Sequence, residues 1–173
     1  MANASPLDER VRNVFNASVG VKTDVNLPLF EIAAYVDFLA GDDFSRIVFL
    51  SFREGQPGQV GDYEMLLITD RFVTVQAFGR EKDERAAFYT TGEIFPLSSV
   101  GKLAIGHDSG ARWSEMGYVE YISPQIDFVA GVQRFSVGGK SGFPIATHSE
   151  TVPVESIREE LLTVLLNAYA PRE

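Results

Sequence analysis

Apolar residues follow a helical period at both ends of the chain and a strand-like pattern in between. Near the N-terminus they recur three or four positions apart, so they share one face of a helix. Ser5 suits the cap of this helix, Pro6 suits its first position and Gly20 suits its end. The pattern therefore predicts a first helix between Ser5 and Gly20. Its apolar face consists of Leu7, Val11, Val14 and Phe15.

Two more helices are predicted by the same period. One runs from Pro28 to about Ala40 and ends at Gly41, with apolar residues on more than one side. For Phe30–Leu39 a strand stays open as the alternative. The other helix covers Val154–Tyr169 and has a continuous apolar stripe. The members of this stripe are Val154, Ile157, Leu161, Leu165 and Ala168.

The middle of the chain predicts β-strands. Arg46–Phe52 is rich in the β-branched and aromatic residues that strands prefer. Only Asp70 and Arg71 separate Tyr63–Thr69 from Phe72–Phe78, so these two segments predict an antiparallel hairpin. Short segments divided by Gly, Ser and Pro follow, which is typical of an antiparallel meander or barrel. The further strand candidates are Ala87–Tyr89, Ile94–Leu97, Val100–Ile105, Tyr118–Ile122, Ile126–Ala130, Arg134–Val137 and Phe143–Ala146.

Two segments carry a family resemblance. The hairpin contains Leu66-Leu67-Ile68-Thr69-Asp70-Arg71-Phe72-Val73, and Phe95-Pro96-Leu97-Ser98-Ser99-Val100 follows it. This order resembles bacterial pleckstrin-homology-like domains. The resemblance covers roughly Arg46 to the C-terminus and implies an antiparallel barrel or bent sheet that is capped at one open end by the C-terminal helix. The two predicted N-terminal helices lie outside the resemblance. Together they predict an α+β fold, with residues 1–43 as a helical extension and residues 44–173 as the pleckstrin-homology-like domain.

Two departures from the family pattern concern function. The capping helix lacks the tryptophan typical of eukaryotic members, and the only tryptophan, Trp113, lies in a predicted loop over Asp108–Gly117. In the family a basic loop grips inositol phosphates, but the matching loop Arg53–Asp62 carries Arg53 beside acidic residues. A fold resemblance does not by itself bring lipid binding with it. Lipid-head-group binding therefore ranks third among the functions considered.

The length, net charge and composition of the chain argue against several classes of function. A chain of 173 residues suits one domain that needs no disulfide or metal to fold. Its formal net charge of −9 argues against nucleic acid as a partner and against charge-driven docking on anionic membranes. The chain contains no cysteine, no signal-like N-terminus and no apolar run of about 18 residues. These features predict a cytoplasmic protein without direct membrane insertion.

Candidate catalytic chemistry is sparse. His107 and His148 each stand beside a carboxylate and a hydroxyl, but sequence neighbours in a loop rarely point together. Neither histidine has the helical spacing typical of a zinc site. Gly138–Gly142 resembles the end of a phosphate-binding loop, but it lacks the upstream glycine and a following helix. No catalytic residue, metal site or cofactor is predicted.

Aromatic and arginine side chains near loops and strand ends are the better candidates, because such side chains anchor many interfaces. These residues are Arg112, Trp113, Arg53 and Tyr63. We expect a noncatalytic module that binds a protein or peptide by edge-strand addition or in a groove beside the C-terminal helix. The alternative is a small-molecule-binding or hydrolytic enzyme that uses His107 or His148 in a pocket. Homo-oligomerisation stays open.

Overall fold

A computed structural model describes residues 5–20, 29–41, 46–55, 62–80, 88–114, 117–139, 141–147, 149 and 151–170. The described residues form three α-helices, namely α1 (Pro6–Val19), α2 (Leu29–Ala40) and α3 (Val154–Tyr169). They also form seven strands, namely β1 (Ile47–Glu54), β2 (Tyr63–Thr69), β3 (Phe72–Arg80), β4 (Phe88–Pro96), β5 (Val100–Ser114), β6 (Gly117–Ala130) and β7 (Gln133–Gly138). The predicted α+β class is confirmed. Within these described ranges, no helix has both the length and the apolar character needed to cross a membrane.

The helices form where the apolar period predicted them. Ser5 caps α1 by two reciprocal bonds: its Oγ accepts from the Asp8 N–H at 3.2 Å, and the Asp8 carboxylate accepts from the Ser5 N–H at 2.9 Å. The chain leaves α1 at Gly20, whose φ of +80° favours glycine. The strand alternative for Phe30–Leu39 is wrong, because this segment belongs to α2.

The first sheet is an antiparallel meander in the order β1-β2-β3-β4. The predicted hairpin joins β2 to β3, and Ile68 lies opposite Val73 next to the turn. Thr69 stabilises this turn, because its Oγ1 accepts from the N–H groups of Arg71 and Phe72, each at 3.1 Å. A threonine side chain thus compensates for a turn that lacks asparagine and glycine.

The second sheet has the order β5-β6-β7 and contains a long hairpin of β5 and β6. Antiparallel pairing continues from Val100 opposite Ala130 to Ser114 opposite Gly117. The loop predicted over Asp108–Gly117 is therefore wrong, because β5 continues to Ser114. This segment is polar and contains glycine, so it shows no apolar alternation. It becomes a strand through backbone pairing with β6, which depends little on side-chain type.

Other strand predictions also change. Tyr118–Ile122 and Ile126–Ala130 belong to one strand, β6. Phe143–Ala146 is not a strand, because its only ladder contact is a single parallel bridge between Val137 and Phe143. This segment contains a proline, which has no N–H to donate to a ladder.

The first sheet is buried on both faces at β2, whereas most of the described side chains of β4 are exposed. Every residue of β2 is buried, and successive side chains of a strand point to opposite faces. Helices α1 and α2 cover one face in a cluster that includes Val11 and Val36. The second sheet and α3 cover the other face in a cluster that includes Phe128 and Leu161. The N-terminal helices are therefore a layer of the packing, and the domain boundary between residues 43 and 44 stays a prediction.

Candidate functional site

Among the described strands, β5 forms an outer edge of the second sheet, because β6 is its one neighbour there. Residues directly opposite each other in an antiparallel pair share a face. Leu103 lies opposite the buried Phe128. Ile105 lies opposite the buried Ile126, yet Ile105 itself is 60% exposed. The core-facing side of β5 thus carries an exposed apolar side chain where the core ends.

Helix α3 adds a second apolar element beside this edge. It contacts β5, β1 and the 3-10 turn Leu97–Ser99. Its buried stripe includes Leu161 and Leu165, and the neighbouring side of the helix carries Leu166 (45% exposed) and Tyr169 (47% exposed). Positions three or four apart on a helix are surface neighbours, so Leu166 and Tyr169 form one patch. We give the name β5–α3 surface to four exposed or half-buried apolar residues that these two contacting elements contribute, namely Leu103, Ile105, Leu166 and Tyr169.

The outer edges of β1 and β7 are partly occupied by contacts within the chain. The β1 edge is occupied at Phe52, whose N–H donates to Ser18 Oγ at 3.3 Å. The β7 edge is occupied at Gly138, whose N–H donates to the Phe143 carbonyl at 2.8 Å. In the part of the chain that the structure describes, no strand pairs with the outer edges of β4 or β5. The edge of β5 belongs to a strand that α3 contacts.

Arg112 and Trp113 lie near the far end of the β5–β6 hairpin. Trp113 stands opposite Tyr118, and Arg112 stands opposite Val119. Their backbone is therefore strand rather than loop, and their side chains lie outside the described part of the molecule. Both residues belong to the same edge strand as Ile105. Their role in binding stays a prediction.

Arg53 is engaged in contacts within the chain. Its Nε donates to the Glu64 carboxylate at 2.6 Å, and its Nη1 donates to the Ser141 carbonyl at 3.2 Å. Its guanidinium also lies 4.1 Å from the centroid of the Phe143 ring. These contacts tie the first sheet to the segment after β7. They compete with the role in ligand binding that was predicted for Arg53.

Tyr63 lies in the core rather than at the surface. It is 7% exposed, and its ring centroid lies 5.3 Å from that of Phe15 and 6.3 Å from that of Phe78. Burial raises the pKa of the Tyr63 hydroxyl, and the Asp62 carboxylate raises it further. Tyr63 is thus a core residue whose strand is covered by α1, and its role in binding stays a prediction. The position of Tyr63 in the sequence, next to a turn-rich segment, does not indicate that α1 packs over it.

The two histidines are not brought together with a catalytic set among the described residues. His107 is exposed on β5, and His148 lies outside the described residues. A cavity between α1, β1 and α3 has no histidine in its described lining. The described ranges also contain no group of three potential metal ligands. The enzyme alternative therefore gains no support from this cavity.

Two residues with functional potential were missed by the sequence analysis. Arg10 lies in step with Leu7, Val11 and Val14 on the buried face of α1, and it lines the cavity. A charged residue within an apolar stripe was the available signal. Ile105 had no such signal, because an apolar strand residue looks the same in sequence whether or not another segment covers it.

Comparisons of the chain with protein-family models, with curated proteins and with solved structures find no match.

Proposed function

We propose that the chain is a noncatalytic module with a pleckstrin-homology-like fold, which binds an extended peptide by adding it as a strand to β5. The observation that carries this proposal is the free β5 edge with the exposed Ile105 on its core-facing side. An edge strand presents unpaired N–H and C=O groups that the backbone of a peptide can bind. The peptide would extend the second sheet from three strands to four.

The fold part of the proposal rests on the order of elements. The hairpin β2–β3 contains the first segment of the resemblance. The second segment forms the end of β4 and the 3-10 turn Leu97–Ser99, and α3 follows the last strand. This order is what a bent sheet with a capping C-terminal helix requires. In such a fold α3 stands beside β5, and the two elements are in contact here.

The β5–α3 surface supplies the selectivity. Strand addition takes its affinity from backbone hydrogen bonds and its specificity from sites for alternate side chains. The exposed apolar residues of these two elements include Ile105 on β5 and Leu166 and Tyr169 on α3. A peptide strand beside β5 would turn every second side chain toward this apolar region. The preferred ligand therefore alternates apolar and polar residues.

The charge of the protein favours a basic ligand. The formal net charge is −9, and α3 carries the exposed Glu155 and Glu159. Charge complementarity accelerates association and selects against partners of the same sign. We therefore expect lysine or arginine at the polar positions of the peptide.

Lipid-head-group binding is disfavoured by the same charges. A phosphate group needs free cationic side chains, whereas the guanidinium of Arg53 is engaged by the Glu64 carboxylate at 2.6 Å. Phosphate would have to replace this partner and overcome the acidic surroundings. A basic peptide would neither have to displace Glu64 from Arg53 nor be repelled by the acidic surroundings.

The test selects ligands from a displayed library of unstructured peptides of about ten residues, long enough for one strand. Ile105→Glu should weaken the selected peptides by about 30-fold, as expected when a central contact worth about 2 kcal/mol is lost. The matched control is Val132→Glu, the same substitution at a valine that is 92% exposed next to the β6–β7 turn. This control should leave affinity unchanged. Peptide binding should also slow amide hydrogen exchange along β5.

Equal affinity of the parent and Ile105→Glu for the selected peptides would show that the β5 edge is not the site. Sedimentation velocity of the free protein shows whether the chain forms a homo-oligomer. Dimerisation that Ile105→Glu abolishes would assign the edge to a second copy of the chain instead of a peptide.

A further inference from the structure

A cavity of about 80 Å³ lies between α1, β1 and α3. Its walls are apolar and polar in nearly equal parts: the apolar residues include Val14, Phe49, Val152 and Ile157, and the polar side chains are those of Arg10, Ser156 and Glu160. A buried water needs only about 10–15 Å³, so the cavity has room for several waters or a small organic molecule. It is about half the size of an engineered ~150 Å³ cavity that holds benzene. The size and the walls together suit a short organic acid.

Arg10 brings a positive charge to this cavity from the buried face of α1. Its Nη2 donates to the Ile47 carbonyl over a long 3.4 Å. Its Nε is buried and has no hydrogen-bond partner among the described residues. A buried donor without a partner costs stability, so such groups call for an explanation. Here the unpaired donor belongs to a residue that lines a cavity.

Glu160 shares the cavity without neutralising Arg10 directly. Burial lowers the pKa of the Arg10 guanidinium, and the Glu160 carboxylate opposes this effect. Among the described residues, no ion pair joins these two side chains within 4.0 Å, whereas Arg53 and Glu64 do form one. The guanidinium of Arg10 thus has no ion-pair partner among the described residues.

We infer that the cavity between α1, β1 and α3 binds a small free carboxylate, whose two oxygens accept from the guanidinium of Arg10 while a short apolar tail packs on Val14 and Ile157. A planar guanidinium fork matches the two oxygens of a carboxylate. The apolar walls take up the hydrocarbon tail without leaving polar groups unpaired. Inorganic phosphate fits worse, because a second negative charge would face Glu160 and the apolar walls.

The test uses propionate as the probe, with the full chain and constant ionic strength. Propionate should cause saturable amide NMR shifts in α1, β1 and α3, and it should raise the melting temperature by mass action. Arg10→Met should abolish both effects. Arg12→Met is the matched control, because this arginine lies exposed on the same helix and should leave both effects intact. Glu160→Gln should tighten propionate binding by about fivefold, which is the effect of one like charge at short range in water.

A second variant keeps the test decisive if Arg10→Met does not fold. Ser156→Leu should reduce propionate affinity at least tenfold, because it fills the cavity and leaves Arg10 in place. The absence of saturable binding to both the parent and Glu160→Gln would overturn the inference. Equal effects of phosphate and propionate would also overturn it, since they would show a general anion site.

Discussion

At the scale of single residues, side chains that look like ligand-binding groups in the sequence hold the fold together. Arg53 pairs with Glu64 at 2.6 Å and lies over the ring of Phe143. Ser51 donates from its hydroxyl to the Pro144 carbonyl at 2.6 Å. The contacts with Phe143 and Pro144 join β1 to the segment between β7 and α3, and the contact with Glu64 joins β1 to β2. They show why an arginine near a loop is a weak sign of a binding site.

Tyr63 provides a prediction about pH. Its pKa is raised in the folded protein, mainly by burial, so the unfolded state loses this proton first as the pH rises. The contribution of Tyr63 to the free energy of unfolding is therefore present below its ordinary pKa of about 10 and is lost above it. Urea unfolding between about pH 9 and pH 11 should show a steeper loss for the parent than for Tyr63→Phe. Equal slopes would contradict the assignment of this loss to Tyr63.

At the scale of elements, helix α3 has two apolar sides that differ in exposure. One side is buried on the second hydrophobic cluster and contains Leu161 and Leu165. The other side carries Leu166 and Tyr169, which stay about half exposed. The helix thus both closes the core and contributes to the β5–α3 surface. The free edge of β5 is the other half of that surface.

Two substitutions, one on each apolar side of α3, test this difference in exposure. Leu161 has no exposed surface, so Leu161→Ala should lower the free energy of unfolding by about 2–5 kcal/mol. Leu166→Ala, the same change five positions later on the same helix, should lower it by less than about 1 kcal/mol. Chemical denaturation measures both. Equal losses would mean that α3 packs differently from the arrangement described here.

At the scale of the whole molecule, the first sheet is a shared layer between two cores. Helices α1 and α2 cover one face, and the second sheet with α3 covers the other. Because β2 is buried along its whole length, losing either cover exposes a large apolar face. The two cores should therefore unfold together.

Deletion of residues 1–43 tests this arrangement. The remaining chain would expose Phe52 and Met65, both now buried under α1 and α2, and large exposed apolar patches promote association. We expect the shortened protein to aggregate or to lose its cooperative thermal transition, as followed by circular dichroism and light scattering. A folded monomer with the stability of the full chain would show that residues 1–43 are a separate extension, as the sequence predicted.

The sequence by itself determined the elements whose signals are local. The caps and apolar periods of α1 and α3 depend on residues a few positions apart, and the β2–β3 hairpin depends on two segments separated by a short turn. These features were predicted with nearly correct bounds. The resemblance to pleckstrin-homology-like domains also came from such segments, and it now serves as a proposal about the fold.

The tertiary structure alone decided which residues are covered. It made a strand of the polar end of β5, because pairing with β6 supplies the backbone hydrogen bonds there. It buried Tyr63 under α1 and left Ile105 exposed, although both belong to apolar strand segments. It also placed Arg10 of α1 and Glu160 of α3 at one cavity. Exposure and proximity depend on which distant segment packs where, and no local period along the chain contains that information.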